Sequence, residues 1–110
     1  MKLRVVLFVG IAALSSAHAT EVPNGGWSNG YVKIAEVVSY WSFTKFRIED
    51  STSCGESNEG WWPLPTTKGN DTLDKALVYK KSMLLAAFAA GKTVKLRCEA
   101  GEITDFSIRE

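Results

Sequence analysis

One long helical period lies between two groups of short, strand-like segments, and this order restricts the chain to few folds. From Leu73 to Ala90 the apolar residues recur at three-and-four spacing, which predicts an amphipathic helix. Asp71 or Thr72 can cap its start, and Gly91 stands at its expected end. The last turns are apolar on nearly all sides, so we expect that end of the helix to be buried. The apolar positions are Leu73, Ala76, Leu77, Met83, Leu84, Ala87 and Phe88.

Runs of β-branched and aromatic residues surround this helix. Three precede it, at residues 31–39, 41–49 and 61–64, and two follow it, at residues 92–98 and 103–109. Three antiparallel strands, a helix and a closing hairpin are the order of a five-stranded oligonucleotide/oligosaccharide-binding (OB) barrel. The sequence therefore predicts a mainly β fold with one helix, β-β-β-α-β-β, as an OB-like barrel. The alternative is an open antiparallel sheet with the helix packed on one face.

The second strand contains a change of phase. Trp41 and Phe43 share one parity along the strand, whereas Phe46 and Ile48 share the other. Because successive side chains of a strand alternate between its two faces, an apolar pattern changes phase only where the strand bends or gains a residue. We therefore expect a β-bulge at residues 44–45.

The first 19 residues have the pattern of a secretory signal peptide. Lys2 and Arg4 precede an unbroken apolar run at residues 5–14, and the small residues Ala17 and Ala19 precede the expected cleavage site. The apolar run spans only ~15 Å as a helix, about half of a bilayer core, which fits a membrane anchor poorly. We expect cleavage after residue 19 and export to the periplasm or out of the cell.

Cleavage would change the chemistry available to the chain. It removes 19 of 110 residues and leaves 91, and loss of two basic residues lowers their number from 13 to 11 against 12 acidic ones, so the formal charge changes from +1 to −1. The single histidine, His18, is also removed, which excludes Ser-His and Cys-His couples and His-ligated zinc sites. The balanced charge favours neither nucleic acid nor an anionic membrane as partner. We divide the remainder into a flexible leader, residues 20–30, and a single OB-like domain, residues 31–110.

Two cysteines, Cys54 and Cys98, remain after cleavage. An even number of cysteines in an exported chain predicts a disulfide, and these two allow one intramolecular pairing. The bridge would close a loop of about 45 residues and would stabilise the domain by up to ~4 kcal/mol in the chain-entropy model. The alternatives are a free redox pair or an intermolecular bridge. No Cys-x-x-Cys motif is present, and two cysteines without other soft ligands make a poor metal site.

Four tryptophans are the candidate ligand or interface residues. Exposed indoles form flat surfaces for sugar rings and are enriched at protein interfaces, although a small barrel also needs large apolar core residues. Neighbours on a strand face opposite ways, so only one residue of an adjacent pair can point inward. The candidates are Trp27, Trp41, Trp61 and Trp62.

Acidic residues supply two weaker hypotheses. A polar loop around Cys54 has the oxygen ligands that calcium prefers, but it lacks the spacing of an EF-hand. A glycoside hydrolase would need two carboxylates across a cleft, which a small barrel scarcely offers. The loop acids are Asp50, Glu56 and Glu59, and the hydrolase candidates are Glu49, Asp50, Glu99 and Glu102.

The helix running into AAGKTVKLRC, after WWPL and two β-branched strands, resembles small exported OB-like proteins of Gram-negative bacteria. In organisation the chain is also similar to the pentamer-forming B subunits of bacterial A–B toxins, of the subtilase-cytotoxin and typhoid-toxin type. The similarity covers residues 31–109 in element order and helix placement. It implies an OB-like fold, a homo-oligomer, a cell-surface glycan as ligand and no catalysis, and it assigns no glycan-binding residue by position.

Together these observations favour an exported, non-catalytic binding module that uses no cofactor and no metal. Its ligand would be a glycan or another protein, with a homo-oligomer as the toxin-like version. Two alternatives remain: a monomeric periplasmic structural or inhibitory protein, and a small carboxylate-dependent hydrolase.

Overall fold

The computed structural model describes residues 20–22, 25–55 and 58–110, so the predicted signal peptide lies outside the described residues. These residues form strands and one helix, which confirms a mainly β fold with a single helix. The elements are β1 (Thr20–Val22), β2 (Gly26–Trp27), β3 (Val32–Ser39), β4 (Phe43–Ile48), β5 (Thr52–Cys54), β6 (Trp61–Pro65), α1 (Asp71–Ala89), β7 (Thr93–Glu99) and β8 (Glu102–Arg109).

Strand β7 is the centre of a 6-stranded antiparallel sheet. β8 pairs with β7 along one edge, while β3 and β2 share the other edge. β3 pairs in turn with β4, and β4 with β6. The end strands β6 and β8 contact each other without pairing, so the described strands form a sheet that is not closed into a barrel. A separate parallel pair joins β1 to β5.

The core lies between one face of this sheet and helix α1. Every second residue of β4, β6 and β7 is buried, as the alternation of a strand requires. The helix adds one buried stripe, and it contacts β3 and β6. Burial of these side chains is the main stabilising contribution to the fold. The buried apolar residues are Phe46, Ile48, Trp62, Leu64, Val94, Leu96 and Cys98 from these strands and Leu77, Leu84 and Ala87 from the helix.

The predicted bulge in the second strand is wrong in position. The register of this pair shifts in β3, between Ile34 and Glu36, and β4 alternates without interruption. The inward position between the two aromatic residues of β4 is occupied by Thr44, which is fully buried and whose Oγ1 lies 3.1 Å from the Oγ of Ser39. Because the inward residue is polar, the apolar pattern suggested a change of phase where the backbone has none. Phe43 therefore lies on the outer face.

The segment predicted as a flexible leader is instead paired with other strands at residues 20–22 and 25–28. β1 runs parallel to β5, and β2 runs antiparallel to β7. Val22 is 6% exposed and belongs to the core. The backbone N–H of Ser28 donates to the carbonyl of Leu96 at 2.7 Å, and the Oγ of Ser28 accepts from the N–H of Leu96 at 3.0 Å. Backbone pairing of this kind needs no apolar period, so the sequence pattern did not reveal it.

Helix α1 confirms the predicted helix, with its N-cap at Asn70 rather than one or two residues later. The Oδ1 of Asn70 accepts a hydrogen bond from the N–H of Leu73 at 3.0 Å. The predicted burial of the last turns is wrong: Leu84 is buried, but Phe88 is 40% exposed and residues 89–90 are exposed. The helix packs on the sheet along one stripe only, so the apolar side chains on its other sides remain in solvent.

Cys54 and Cys98 form the predicted disulfide, with an S–S distance of 2.05 Å. The bridge joins β5 to β7, and both cysteines are buried. The two leader strands pair beside it, because Val22 lies opposite Cys54 and Gly26 lies opposite Cys98. The disulfide therefore stands where four strands meet.

Candidate functional site

The adjacent residues Trp61 and Trp62 point in opposite directions from β6, as expected for neighbours on a strand. Trp62 is fully buried, and its Nε1 donates a hydrogen bond to the carbonyl of Thr52 at 3.0 Å. Trp62 is therefore a core residue and cannot touch a ligand, which corrects its assignment as a candidate. Trp61 is half-buried on the outer face, and its binding role stays a prediction.

Trp61 belongs to a group of outward side chains on β4, β6 and the turn that follows β3. We call Tyr40, Phe43, Lys45 and Trp61 the aromatic surface. The rings of Tyr40 and Phe43 stack with their centroids 4.7 Å apart. The Nζ of Lys45 lies 4.5 Å from the ring centroid of Trp61 and 5.6 Å from that of Tyr40, so the ammonium group links the rings. The sequence pattern did not single out Tyr40 or Phe43. It predicted a bulge at residues 44–45, and a strand that changes phase there does not show which face Phe43 occupies.

Trp41 stands in the β3–β4 turn, beside the aromatic surface, and is 81% exposed. The turn is closed by a hydrogen bond from the N–H of Tyr40 to the carbonyl of Phe43 at 2.7 Å. Transfer of the apolar surface of an exposed indole from water to a contact with a ligand or partner is favourable. Trp41 is therefore the strongest of the four predicted tryptophans on exposure alone.

A cleft of about 480 Å³ adjoins the aromatic surface at Phe43. We call it the β6–β8 cleft, because it separates β6 from the turn between β7 and β8. Its walls are tied together by Asn58, whose Nδ2 donates to the carbonyl of Gly101 at 3.2 Å, and by the ion pair of Lys68 with Glu102 at 3.0 Å. The volume is within the range of small-molecule sites. The lining residues are Ser42, Phe43, Asn58, Pro63, Pro65, Thr67, Lys68, Ala100, Gly101 and Glu102.

No protein-family model, curated protein or solved structure matches this chain. The similarity to OB-like exported proteins and toxin B subunits therefore rests on element order alone.

Three of the four acidic residues proposed for a hydrolase make structural contacts, and Glu99 lies opposite Glu102 at the end of the β7–β8 pair. The Oδ1 of Asp50 accepts hydrogen bonds from the N–H and the hydroxyl of Thr52, at 3.0 and 2.8 Å. Glu102 pairs with Lys68 at 3.0 Å, and Glu99 pairs with an arginine of β7 at 3.5 Å. Carboxylates used in this way fix turns and strand ends. Only Glu102 also lines the β6–β8 cleft.

The loop proposed for calcium is described in part. Glu56 lies outside the described residues, and Glu59 is exposed. Within the described ranges, no three His, Cys, Asp or Glu side chains stand close enough together to hold a metal ion. The same residues include no helix with the length and apolar character needed to cross a bilayer.

Proposed function

We propose that the protein is an exported, non-catalytic binding module that binds a short saccharide in the β6–β8 cleft and on the aromatic surface. The observation that supports this most directly is the position of Phe43, which stacks on Tyr40 and also lines the cleft. A ligand in the cleft would meet an apolar ring at one end. At the other end it would meet the ammonium of Lys68 and the carboxylate of Glu102.

The strand order supports the choice of this cleft. We propose that β3, β4, β6, β7 and β8 correspond to strands one to five of an OB barrel that is open between β6 and β8. OB folds bind oligosaccharides and oligonucleotides on the face of strands two and three, between the loops that join strands one to two and four to five. In this chain those parts are β4, β6, the turn at residues 40–42 and the β7–β8 turn, and all four contribute residues to the cleft wall.

The chemistry of the lining favours a saccharide over other ligands. Sugar rings present apolar C–H faces, which pack against aromatic rings, and hydroxyl groups, which exchange hydrogen bonds with amides and charged groups. Phe43 and Pro65 supply the first kind of contact, and Asn58, Lys68 and Glu102 supply the second. A single-stranded nucleic acid would need a basic groove, and the only basic residue of this lining is paired with Glu102.

Binding to neutral oligosaccharides on a glycan array tests this proposal. We expect Phe43→Ala and Trp41→Ala each to lower the affinity for the bound oligosaccharide by about tenfold, because each removes one ring contact. Tyr79→Ala is the matched control, since Tyr79 is an aromatic residue 67% exposed on the helix. Trp41 is so exposed that its replacement leaves the fold intact. Absence of binding to any glycan, or equal affinity of all three variants and the wild type, would contradict the proposal and favour a structural or inhibitory protein.

We also propose that the protein self-associates through helix α1. One side of the helix carries an apolar groove of about 340 Å³. Met83, which is 38% exposed, lines it together with Ala86, Ala90 and Ile108. A face of this kind is typical of an interface.

Sedimentation at micromolar concentration should therefore give a mass above that of the monomer. Met83→Asp should return the protein to a monomer, because a buried, unpaired carboxylate opposes association. Val78→Asp introduces the same charge at an exposed apolar residue on another side of the helix, outside the groove, and should leave the mass unchanged. A monomeric wild type would remove the toxin-like version of the function.

A further inference from the structure

A second group of aromatic and basic side chains lies away from the aromatic surface, on strands β2, β7 and β8 and on the residue that precedes β3. We call Trp27, Tyr31, Lys95 and Arg109 the basic surface. The Cζ of Arg109 lies 3.9 Å from the ring centroid of Tyr31, and the Nζ of Lys95 lies 5.9 Å from the same centroid. Lys95 is also 5.4 Å from the ring centroid of Trp27. Two positive charges therefore share one tyrosine ring.

Lys95 and Arg109 are held by aromatic rings, whereas other cations of the sheet are held by carboxylates. Arg97, also on β7, bonds Asp105 at 3.3 Å and Glu99 at 3.5 Å, so its charge is compensated. The ion pairs formed among the described residues include neither Lys95 nor Arg109. The same sheet face thus has a neutralised half and a half with excess positive charge. Lys95 and Arg109 occupy diagonally neighbouring positions of β7 and β8, because Lys95 lies opposite Ser107 and Arg109 lies opposite Thr93. Two like charges at such positions repel each other, and a bound anion would relieve that repulsion.

The rings position the cations without using their hydrogen-bond donors. A guanidinium group stacked on a ring presents its N–H donors at its edge, in the plane that suits the oxygens of an oxyanion. The Tyr31 ring is itself fixed, because its hydroxyl lies 2.7 Å from the Oγ of Ser107. Arg109 is therefore held in one orientation before any ligand arrives, which reduces the entropy lost on binding.

The position of Trp27 indicates which kind of molecule would carry an anionic group to these cations. Its indole is 42% exposed and lies beside the ammonium of Lys95. A pyranose ring can pack on an exposed indole while an ester group on that ring reaches a neighbouring cation. An inorganic anion alone would leave the indole uncovered.

We propose that the basic surface is a binding site for a sugar that carries a sulfate or phosphate ester, with the ester on Lys95 and Arg109 and the sugar ring on Trp27. The site is separate from the β6–β8 cleft and shares no residue with it. It therefore does not depend on the proposed neutral saccharide, and either proposal can fail while the other stands.

Titration of the purified protein with a sulfated disaccharide, its desulfated form, glucose 6-phosphate and inorganic sulfate tests this site. Calorimetry gives the dissociation constants, and the NMR signal of the Trp27 indole N–H reports where the ligand binds. We expect both esters to shift that signal, the desulfated sugar to bind at least tenfold more weakly, and inorganic sulfate to bind more weakly than the esters, because it has no ring to cover Trp27.

Arg109→Gln and Lys95→Gln should each weaken binding of the sulfated disaccharide by about tenfold, since each removes a charge-assisted hydrogen bond. Lys81→Gln, on the helix, removes the same charge outside the site and should change the affinity less than twofold. These side chains are half-buried or exposed, so the thermal midpoint should stay constant and show that the variants are folded.

Three results would overturn the proposal. Equal weakening by all three variants would mean that net charge alone attracts the ligand. Equal affinity for the sulfated and desulfated sugars would remove the role of the anion. Binding to vesicles that contain anionic phospholipid, with no binding to either sugar ester, would assign the surface to a membrane instead.

Discussion

Replacement of both Cys54 and Cys98 by alanine is expected to lower the free energy of unfolding by about 4 kcal/mol. The bridge spans a sequence separation of 44 residues and connects β5 to β7. Cross-linking a loop of this length removes much of the conformational entropy of the unfolded chain, and that stabilisation is lost with the bond. Since small domains have total stabilities of roughly 5–15 kcal/mol, the variant should approach unfolding at 37 °C.

Urea denaturation with and without a reducing agent measures this effect and separates its two causes. The reduced wild type keeps both buried sulfur atoms but loses the cross-link, whereas the double alanine variant loses both. We expect reduction of the wild type to give most of the destabilisation, and the double variant to be insensitive to the reducing agent. If the urea midpoint of the wild type does not change on reduction, the disulfide contributes little to the stability of the domain, and the prediction is contradicted.

The parts of the fold that were predictable from the sequence are those with a clear period. The helix predicted at residues 73–90 and the strand predicted at residues 92–98 follow from the spacing of apolar residues, and the structure has a helix at residues 71–89 and a strand at residues 93–99. Thr44 shows why the rest was not predictable. It is polar and fully buried, with its hydroxyl satisfied by Ser39, so an inward position did not look like one.

Two further features of the structure differ from the sequence-based predictions, because contacts between residues far apart in the chain determine them. Strands β1 and β2 form through backbone hydrogen bonds to β5 and β7, which the local sequence does not encode. The end of the helix is apolar nearly all round, yet only one stripe meets the sheet. An apolar residue in a sequence marks a tendency to be buried and does not specify by what.

The sequence predicted that tryptophans would form the candidate site, but it did not predict which of them lie on the surface together. The alternation of a strand indicated that one of Trp61 and Trp62 points outward, but parity alone could not decide which. The decision comes from the pairing of β6 with β4, which places Trp62 opposite the buried Phe46 and Trp61 opposite the exposed Arg47. Trp27 and Trp41 proved to lie on different surfaces, which no pattern along the chain could show.

The same pair of neighbours supports the second large expected effect. Trp62→Ala should destabilise the domain by about 4 kcal/mol, because it leaves a cavity under the sheet where the largest fully buried side chain stood. It also leaves the carbonyl of Thr52 without the indole N–H that now donates to it, which costs about 1 kcal/mol more. Urea denaturation of the variant and of Trp62→Phe gives the two contributions, since phenylalanine fills most of the cavity but donates no hydrogen bond.

Trp61→Ala is the matched control, with the same substitution one residue earlier on the same strand. Trp61 faces outward against Lys45 at 4.5 Å, so its removal should cost only about 1 kcal/mol. For ligand binding the expected order is reversed, so that the change at residue 61 has the larger effect. Trp61→Ala should weaken saccharide binding while the fold is kept, and Trp62→Phe, which leaves the aromatic surface untouched, should bind the saccharide like the wild type. Equal destabilisation by the two alanine variants would mean that both indoles are buried, and the aromatic surface would then lose its central member.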